Sequence, residues 1–314
     1  MELTVCICTH NRPRYMHDCL AGLARQTAGQ DAFAVVVVDS GSTGDAPAEI
    51  ASLVAATPNA SLIRVDRTGV SLARNAGAWA CHTPYIAYID DDAIPADDWV
   101  ARILAALAET TSPPAVLGGR VLPLWEAPLP DWWPSCLRGV LSIIETEGKG
   151  EYGDPSLPAD LAPYTVNMVV NVVSLLAVGG FGCGAGRYGS SLLSDEDVQL
   201  AWRLRQTGQS VRYDSRIVVH HQIQATRLTP AWLLSRLYWQ GASTVLTRRL
   251  LKRNAEVWHE LPRRIAVAAL YAPLGLLPRG SARLIDARWR LAYALGFILA
   301  AFGWHADATA RTMG

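Results

Sequence analysis

The sequence lacks the signatures of several common protein classes. Its six cysteines form no CxxC pair and no Cys/His spacing typical of zinc, so we expect free thiols in a reducing compartment. No apolar run approaches the roughly 20 residues that span a bilayer. The chain passes from Met1 almost directly into a predicted strand, so no signal peptide is expected. The formal net charge is +0, and bulk charge therefore gives no reason to expect a nucleic-acid partner.

Glycine-rich phosphate loops are also missing. There is neither a Walker loop nor a GxGxxG motif after the first predicted strand, which disfavours P-loop nucleotide binding and ordinary dinucleotide binding. Hydrophobic residues make up 50% of the chain and charged residues only 18%, a composition that excludes intrinsic disorder. With 314 residues, the chain can bury a large core as one large domain or as a domain with an appendage.

Strand and helix patterns alternate along the first third of the chain. The run 33–38 is continuously apolar and mostly β-branched, which is typical of a strand covered on both faces. Together with the other elements it predicts an α/β fold with a mainly parallel, Rossmann-like sheet flanked by helices. The predicted strands are 3–8, 33–38, 61–65 and 85–89, and the predicted helices are 15–26, 48–56 and one beginning at 69.

The pattern changes after residue 121. Residues 122–163 are rich in proline and tryptophan with weak periodicity, which predicts a long loop that is functional or mobile. Strands are predicted at 211–213 and 217–219, with a helix at 198–206 before them. From residue 229 the pattern is helical. We therefore divide the chain into a domain at 1–226 and a C-terminal helical extension at 227–314.

Three consecutive aspartates, Asp90, Asp91 and Asp92, follow the predicted strand 85–89. Side chains alternate along an extended chain, so Asp90 and Asp92 should project to one side and Asp91 to the other. Adjacent carboxylates repel one another, and a cation such as Mg²⁺ or Mn²⁺ would relieve the repulsion. The alternative is a solvated acidic turn that caps the helix starting near Pro95.

Other polar residues also stand where predicted strands end. These clusters contain Asn11, Arg12, Asp39 and His220 among others. Because the carboxyl ends of parallel strands lie along one crevice, we expect the clusters to be close in space. Such a crevice would suit an anionic ligand such as a nucleoside diphosphate, because it would hold carboxylates, a metal, an arginine and a histidine.

The order of these motifs resembles that of family 2 glycosyltransferases. The resemblance covers residues 3 to about 245 and implies the GT-A fold, transfer of sugar from a nucleotide donor and inversion of the anomeric centre. The motifs that carry it are Val5–Arg12, Val38–Thr43, Gly69–Gly77, Asp90–Asp92, Ser194–Asp197 and His220.

The resemblance implies a role for each matching residue. Asp39 should contact the nucleotide base, and Asp92 should ligate the metal. Asp90 should touch the ribose or the metal, and His220 should be a further metal or diphosphate contact, whereas neighbouring His221 is expected to be structural. The remaining residues expected to bind the donor are Thr9, Asn11, Arg12, Ser42, Arg74, Asn75 and Asp91.

Asp197 is the expected general base, with Glu196 orienting the site. Inverting transfer needs a carboxylate that removes the acceptor's proton while the diphosphate leaves from the other side. Alternatively, these acids only complement the dipole of a helix N-terminus. Two departures from the family pattern stand out: related sequences usually have glycine at the position of Asp195, and Thr165–Asn171 lacks the basic pair found there in relatives. The second departure favours an unusual acceptor.

The resemblance also sets expectations for ligands. The donor is expected to be a nucleotide sugar, in the first instance a UDP-sugar, used with Mg²⁺ or Mn²⁺. The acceptor class is open among a glycan, a lipid-linked glycan and a small molecule. Tryptophans in the 122–163 loop would stack on the sugar or acceptor, or else pack as a lid.

The predicted location is cytoplasmic, and peripheral contact with the inner face of a membrane is left open. The C-terminal helices combine basic residues with leucine and tryptophan, which suits a membrane interface. Packing onto the catalytic domain or another subunit would explain the same pattern. Two alternatives to catalysis of sugar transfer stay open: a scaffold that binds nucleotide sugar without catalysis, and a metal-dependent nucleotidyltransferase or phosphohydrolase.

Overall fold

The computed structural model describes residues 1–158, 161–182, 192–275 and 284–304. In these residues the strands are β1 (Leu3–Thr9), β2 (Phe33–Ser40), β3 (Ala60–Val65), β4 (Tyr85–Asp90), β5 (Ala93–Pro95), β6 (Val116–Trp125), β7 (Lys149–Glu151), β8 (Met168–Asn171) and β9 (Val211–Ile223). The helices are α1 (Pro13–Ala24), α2 (Ala46–Ala55), α3 (Val70–Trp79), α4 (Trp99–Ala108), α5 (Val172–Ala177), α6 (Glu196–Gln206), α7 (Pro230–Leu250), α8 (Asn254–Gly275) and α9 (Ile285–Ala301).

Strands β1 to β4 form the parallel part of the sheet and confirm the predicted alternation. Their order is β3-β2-β1-β4, with β1 hydrogen-bonded in parallel to both β2 and β4. The register aligns Thr9 with Asp39 and Cys8 with Asp90. The polar residues that end these three strands therefore lie side by side at one edge of the sheet.

The other half of the sheet is antiparallel. Strand β8 pairs with β4 and β6, and β9 pairs with β5 and β7. The two strands predicted at 211–213 and 217–219 form the single strand β9. Asp214, which lies between them, is aligned with Lys149 of β7, and its carboxylate pairs with the Arg216 guanidinium. These contacts keep the polar middle of the strand extended.

The described residues form two compact units. The first comprises 1–124, 142–181 and 200–222, and its core includes fully buried Phe33, Tyr88 and Trp99. The indole Nε1 of Trp99 donates to Asn167 Oδ1 (2.9 Å), so this large side chain is buried with its polar atom satisfied.

The second unit comprises the described residues of 125–141, 182–199 and 223–314. It contains the predicted C-terminal extension and, in addition, part of the predicted 122–163 loop and the start of α6. Helices α7, α8 and α9 enclose a core that includes Val245, Leu261 and Phe297. Helices α7 and α9 meet at Gly241 and Gly296, where a Cβ would overlap the Tyr293 and Tyr238 carbonyl oxygens. Among the described helices, none combines the length and apolar character needed to cross a bilayer.

Trp133 of the predicted 122–163 loop is packed inside the second unit. It is buried, and its ring stacks on that of Trp232 in α7 with 6.5 Å between centroids. Trp132 lies beside it, with 5.6 Å between the two centroids. The role of Trp133 is therefore to attach this segment to α7 by packing.

Candidate functional site

Asp39, Ser42 and Asn11 are linked where β1 and β2 end. Asp39 Oδ1 accepts a hydrogen bond from the Ser42 backbone N–H (3.0 Å). Ser42 Oγ accepts one from the Asn11 backbone N–H (2.8 Å). Asn11 has a φ of 55°, a left-handed conformation that asparagine tolerates, and its Oδ1 accepts from the Thr43 N–H (2.8 Å). These bonds fix the Asp39 carboxylate at the carboxyl edge of the sheet.

Arg12 bridges two of the three aspartates. Its Nη1 lies 3.0 Å from Asp92 Oδ2 and 3.3 Å from Asp91 Oδ1. Thr9 Oγ1 donates to the other Asp91 oxygen (2.7 Å), and His221 Nε2 lies 3.3 Å from Asp92 Oδ1. Both carboxylates are buried, where an unpaired charge would be very costly. Arg12, Thr9 and His221 offset that cost.

The two buried carboxylates also disfavour each other's ionised forms. Burial, and then the charge of Asp92, raises the pKa of Asp91 to about 7, against the opposing effects of Arg12 and the Thr9 hydroxyl. A cation near the pair would favour the ionised form of both groups. The site is therefore electrostatically suited to a positively charged ligand.

Asp90 differs from its neighbours because it faces solvent. Its side chain is 37% exposed, against 3% for Asp92. Arg74 Nη2 on α3 lies 3.3 Å from Asp90 Oδ1, and its guanidinium lies 5.6 Å from the centre of the Phe181 ring. Arg74 is itself buried. Arg74 and Asp90 thus place a fixed cation and an accessible anion at the same edge of the sheet.

Asn75, which was expected to bind the donor, has its side-chain amide engaged with Phe181. Its Nδ2 donates to the Phe181 carbonyl (3.0 Å), and its Oδ1 accepts from the Phe181 N–H (2.7 Å). Gly180, with a φ of 74°, packs so tightly that a Cβ there would lie 2.5 Å from Asn75 Oδ1. Asn75 therefore holds the backbone of Phe181 beside Arg74. Contact of Asn75 with a donor stays a prediction.

Gly180→Ala should lower the free energy of unfolding by about 3 kcal/mol, because the methyl group adds positive-φ strain and displaces the Asn75 amide from two buried hydrogen bonds. Gly179→Ala is the matched control. Gly179 has a φ of 80° but no atom within 4 Å of an added Cβ, so only strain of about 1 kcal/mol is expected. Urea denaturation followed by circular dichroism measures both, and equal losses would contradict the steric explanation.

The structure pairs His221, and not the predicted His220, with Asp92. Strand β9 is antiparallel to β5, with His221 aligned with Ala93 and His220 with Ile94. Side chains alternate along a strand, so the two histidines face opposite sides of the sheet. His221 is buried against Asp92, whereas His220 is half-buried. The histidine beside the aspartates is therefore His221, and contact of His220 with a metal or diphosphate stays a prediction.

The segment that carries the predicted base lies in the second unit. Glu196 and Asp197 form the first turn of α6 and are buried, and Asp197 Oδ1 accepts from the Val198 N–H (2.8 Å). Asp195 has a φ of 81°, a left-handed conformation that glycine adopts at the least cost. Its carboxylate accepts two hydrogen bonds from Gln240 Nε2 of α7 (2.9 and 3.1 Å). Gln240 thus anchors the start of α6.

The Asp195 carboxylate is shielded from solvent, which raises its pKa, while the hydrogen bonds from Gln240 and the charge of Arg236 oppose that rise. A carboxylate at this position lowers the stability of the fold relative to glycine unless its hydrogen bonds with Gln240 are kept. The bonds to α7 therefore compensate for both the half-buried charge and the left-handed backbone.

The aspartates offer oxygen ligands of the kind that Mg²⁺ and Mn²⁺ prefer. Across the described ranges, no three His, Cys, Asp or Glu side chains form a group that could hold a metal. Mg²⁺ usually takes one or two carboxylates from the protein and its other ligands from substrate phosphates and water. A metal held in that mode would take only one or two carboxylates from this edge and further ligands from a diphosphate.

Comparison with known proteins places this site in a family. The family described as Glycosyl transferase family 2 matches residues 4–126, which include β1 to β4 and all three aspartates. Residues 4–126 belong to glycosyltransferase family 2. It is 28% identical over 232 residues to a pre-mycofactocin glycosyltransferase of Mycobacterium tuberculosis, covering 73% of this chain and 45% of that protein. This chain therefore spans less than half of the length of that relative.

A second relative is matched over more of its length. The chain is 27% identical over 251 residues to a glucosyl-dolichyl phosphate glucuronosyltransferase of Haloferax volcanii, covering 77% of this chain and 76% of that protein.

Solved structures establish the GT-A fold of this family 2 chain. A mannosyltransferase from Pyrobaculum calidifontis, in complex with GDP-Man and Mn²⁺, matches with a TM-score of 0.56 and 18% identity over 98% of this chain and 75% of that one. TarS from S. aureus, in complex with UDP-GlcNAc, matches with a TM-score of 0.55 and 14% identity, over 98% and 92% of the two chains.

Two residues at the carboxyl edge of the sheet, Arg64 and Phe181, were not predicted from the sequence. Arg64 of β3 donates from Nη2 to the Ser42 carbonyl (3.3 Å), and its Nε lies 4.0 Å from Asp39 Oδ2. The sequence did offer a signal for Arg64, which is a charged residue near the end of the predicted strand 61–65. Because β3 lies beside β2, a side chain there can reach Asp39. Phe181, which packs on Arg74, is far away in the sequence and gave no local signal.

Proposed function

We propose that this chain is an inverting glycosyltransferase that moves a sugar from a nucleotide-diphosphate donor to a hydroxyl acceptor. The observation that carries the proposal is the edge where β1, β2 and β4 end, at which Asp39, Arg12 and Asp90 to Asp92 stand side by side. One end of this edge offers a rigid carboxylate for a nucleoside. The other offers carboxylates and arginines suited to a metal-bound diphosphate.

The proposed chemistry divides between two groups of residues. Asp197 removes the acceptor's proton as the sugar is transferred, with Glu196 beside it. Asp90 and Asp92 would hold Mg²⁺ or Mn²⁺, which when bound neutralises negative charge on the leaving diphosphate. Arg74 and Arg12 orient the phosphates by charge-assisted hydrogen bonds. Complexes of the structural neighbours with UDP-GlcNAc and with GDP-Man and Mn²⁺ support a donor of this kind.

A donor screen tests the proposal. Melting temperatures of the chain are compared with UDP-, GDP- and dTDP-sugars, with and without Mn²⁺, because a ligand that binds the native state raises its stability by mass action. The stabilising donor is then incubated with candidate acceptors, and released nucleoside diphosphate is quantified. Release of pyrophosphate or free phosphate instead would overturn sugar transfer, and a product that keeps the donor's anomeric configuration would overturn inversion.

Asp39→Asn should weaken binding of the nucleoside diphosphate matching that donor by about tenfold or more, because a hydrogen bond to a charged group contributes about 1.5–3 kcal/mol. Isothermal titration calorimetry measures the dissociation constant. Asp45→Asn, an exposed carboxylate in the same loop, is the control and should leave it unchanged. Equal binding by the Asp39 variant and the wild type would remove Asp39 from the nucleoside pocket.

A further inference from the structure

Helix α8 has charged side chains on its inner side. Glu260 pairs with Arg248 of α7 and with Arg264 one turn along α8. The Arg264 guanidinium lies 4.4 Å from the centre of the Tyr293 ring of α9. Val257 and Leu261 are buried on the same side of the helix. The contacts of α8 with its neighbours thus combine a small apolar core with ion pairs.

The outer side of α8 is apolar. Trp258, Ile265 and Leu270 are 52%, 47% and 69% exposed. Residues three and four apart in a helix share one side, and this spacing holds along the whole exposed stripe. Its members are Trp258, Pro262, Ile265, Ala266, Ala269 and Leu270.

Two aromatic residues after α9 extend this surface. The Phe302 ring lies 6.3 Å from that of Trp258, measured between centroids. Phe302 is 68% exposed and Trp304 is 75% exposed. We call the six residues of the α8 stripe, together with Phe302 and Trp304, the outer face. A concentration of exposed apolar side chains of this kind is typical of an interaction site.

The charges around the outer face favour an anionic partner. Both acidic residues of α8 are paired with arginines: Glu260 as described above, and Glu256 with Arg253 at 2.5 Å. Lys252 and Arg263, by contrast, are exposed. The exposed acid Asp286 in the first turn of α9 has Arg290, also exposed, one turn away. Exposed cations therefore border an apolar helix surface.

We propose that the outer face binds the surface of a membrane that contains anionic lipids. A helix that lies in the interface inserts its apolar side below the headgroups, while flanking lysine and arginine contact lipid phosphates. Tryptophan is favoured at this depth because its ring is apolar and its N–H is polar. The proposal is independent of sugar transfer, since none of these residues belongs to the site described above.

Vesicle cosedimentation of the whole chain tests the proposal. Vesicles of phosphatidylcholine mixed with phosphatidylglycerol should bind the chain, and vesicles of phosphatidylcholine alone should bind it more weakly. Ile265→Glu combined with Leu270→Glu should lower the partition coefficient about a hundredfold. The reason is that two apolar side chains that would be buried in the lipid of the bound state are replaced by charged ones. Arg263→Glu should lower it about fivefold or more, and high salt should do the same to the wild type.

Val173→Glu is the matched control. Val173 is 75% exposed but lies in the first unit, so this variant should bind vesicles like the wild type. Thermal melts establish that each variant is folded, and Arg263→Glu leaves the apolar residues in place. Failure of the wild type to bind mixed vesicles, or wild-type binding by the double variant, would overturn the proposal. So would a wild-type dimer in light scattering that the double variant dissociates, because a second copy would then cover the face.

Discussion

Asp197→Asn should lower kcat by about a thousandfold, because general base catalysis contributes about 10²–10⁴-fold and an amide cannot accept the acceptor's proton. The substitution keeps the shape of the side chain, and the amide oxygen can still accept the Val198 N–H that Asp197 Oδ1 accepts at 2.8 Å. KM for the donor and the melting temperature should therefore change little. Steady-state kinetics with the donor found by the screen, followed by nucleoside diphosphate release, measures the effect.

The control for that variant is Asp286→Asn. Asp286 is also an acid in the first turn of a helix, α9, so it tests whether loss of a favourable helix-dipole interaction alone changes activity. It should keep wild-type kcat. A kcat for Asp197→Asn within threefold of the wild type would remove the base assignment, leaving these acids with the helix-capping role.

Asp92→Asn should reduce kcat/KM by about a hundredfold to a thousandfold, because it removes a charge proposed to stabilise the leaving diphosphate. It should also lower the free energy of unfolding by about 2 kcal/mol, since Arg12 and His221 lose a charged partner in a buried site. Activity as a function of Mn²⁺ concentration separates the two effects. The variant should need more metal for half-maximal activity, whereas lost stability alone would leave that concentration unchanged.

Asp97→Asn is the control for Asp92. Asp97 is exposed and pairs with Arg25 at 3.3 Å, and such surface pairs contribute little. It should keep both kcat/KM and the metal dependence. If Asp92→Asn showed wild-type kcat/KM at every Mn²⁺ concentration, Asp92 would not be part of the diphosphate site.

The parallel part of the fold was predictable because its signals are local and strong. The apolar run of β2 and the polar residues that end β1, β2 and β4 predicted both the sheet and the edge at which Asp39 and Asp90 lie. Strand β6 was missed because Gly118 and Gly119 weaken its pattern. A Cβ at Gly119 would overlap Asn167 and the Ile217 carbonyl, so that glycine serves a close approach between strands that are distant in sequence.

The histidine assignment shows the limit of sequence reasoning within a strand. The alternation of His220 and His221 was correctly expected, but which of them faces Asp92 depends on the register of β9 against β5. That register is set by pairings with residues more than a hundred positions earlier. Likewise, the helical character of the chain from residue 229 followed from periodicity. The inward direction of Glu260 and Arg264 did not, because it depends on arginine and tyrosine partners in other helices.

The meeting of Gly241 and Gly296 has a consequence for recognising chains built like this one. At that crossing the two helix backbones touch without any intervening methyl group. A homologue with a side chain at either position must hold its last helix farther out or at another angle. Two glycines 55 positions apart are thus a compact sequence marker for this C-terminal arrangement, usable where overall identity is too low to align.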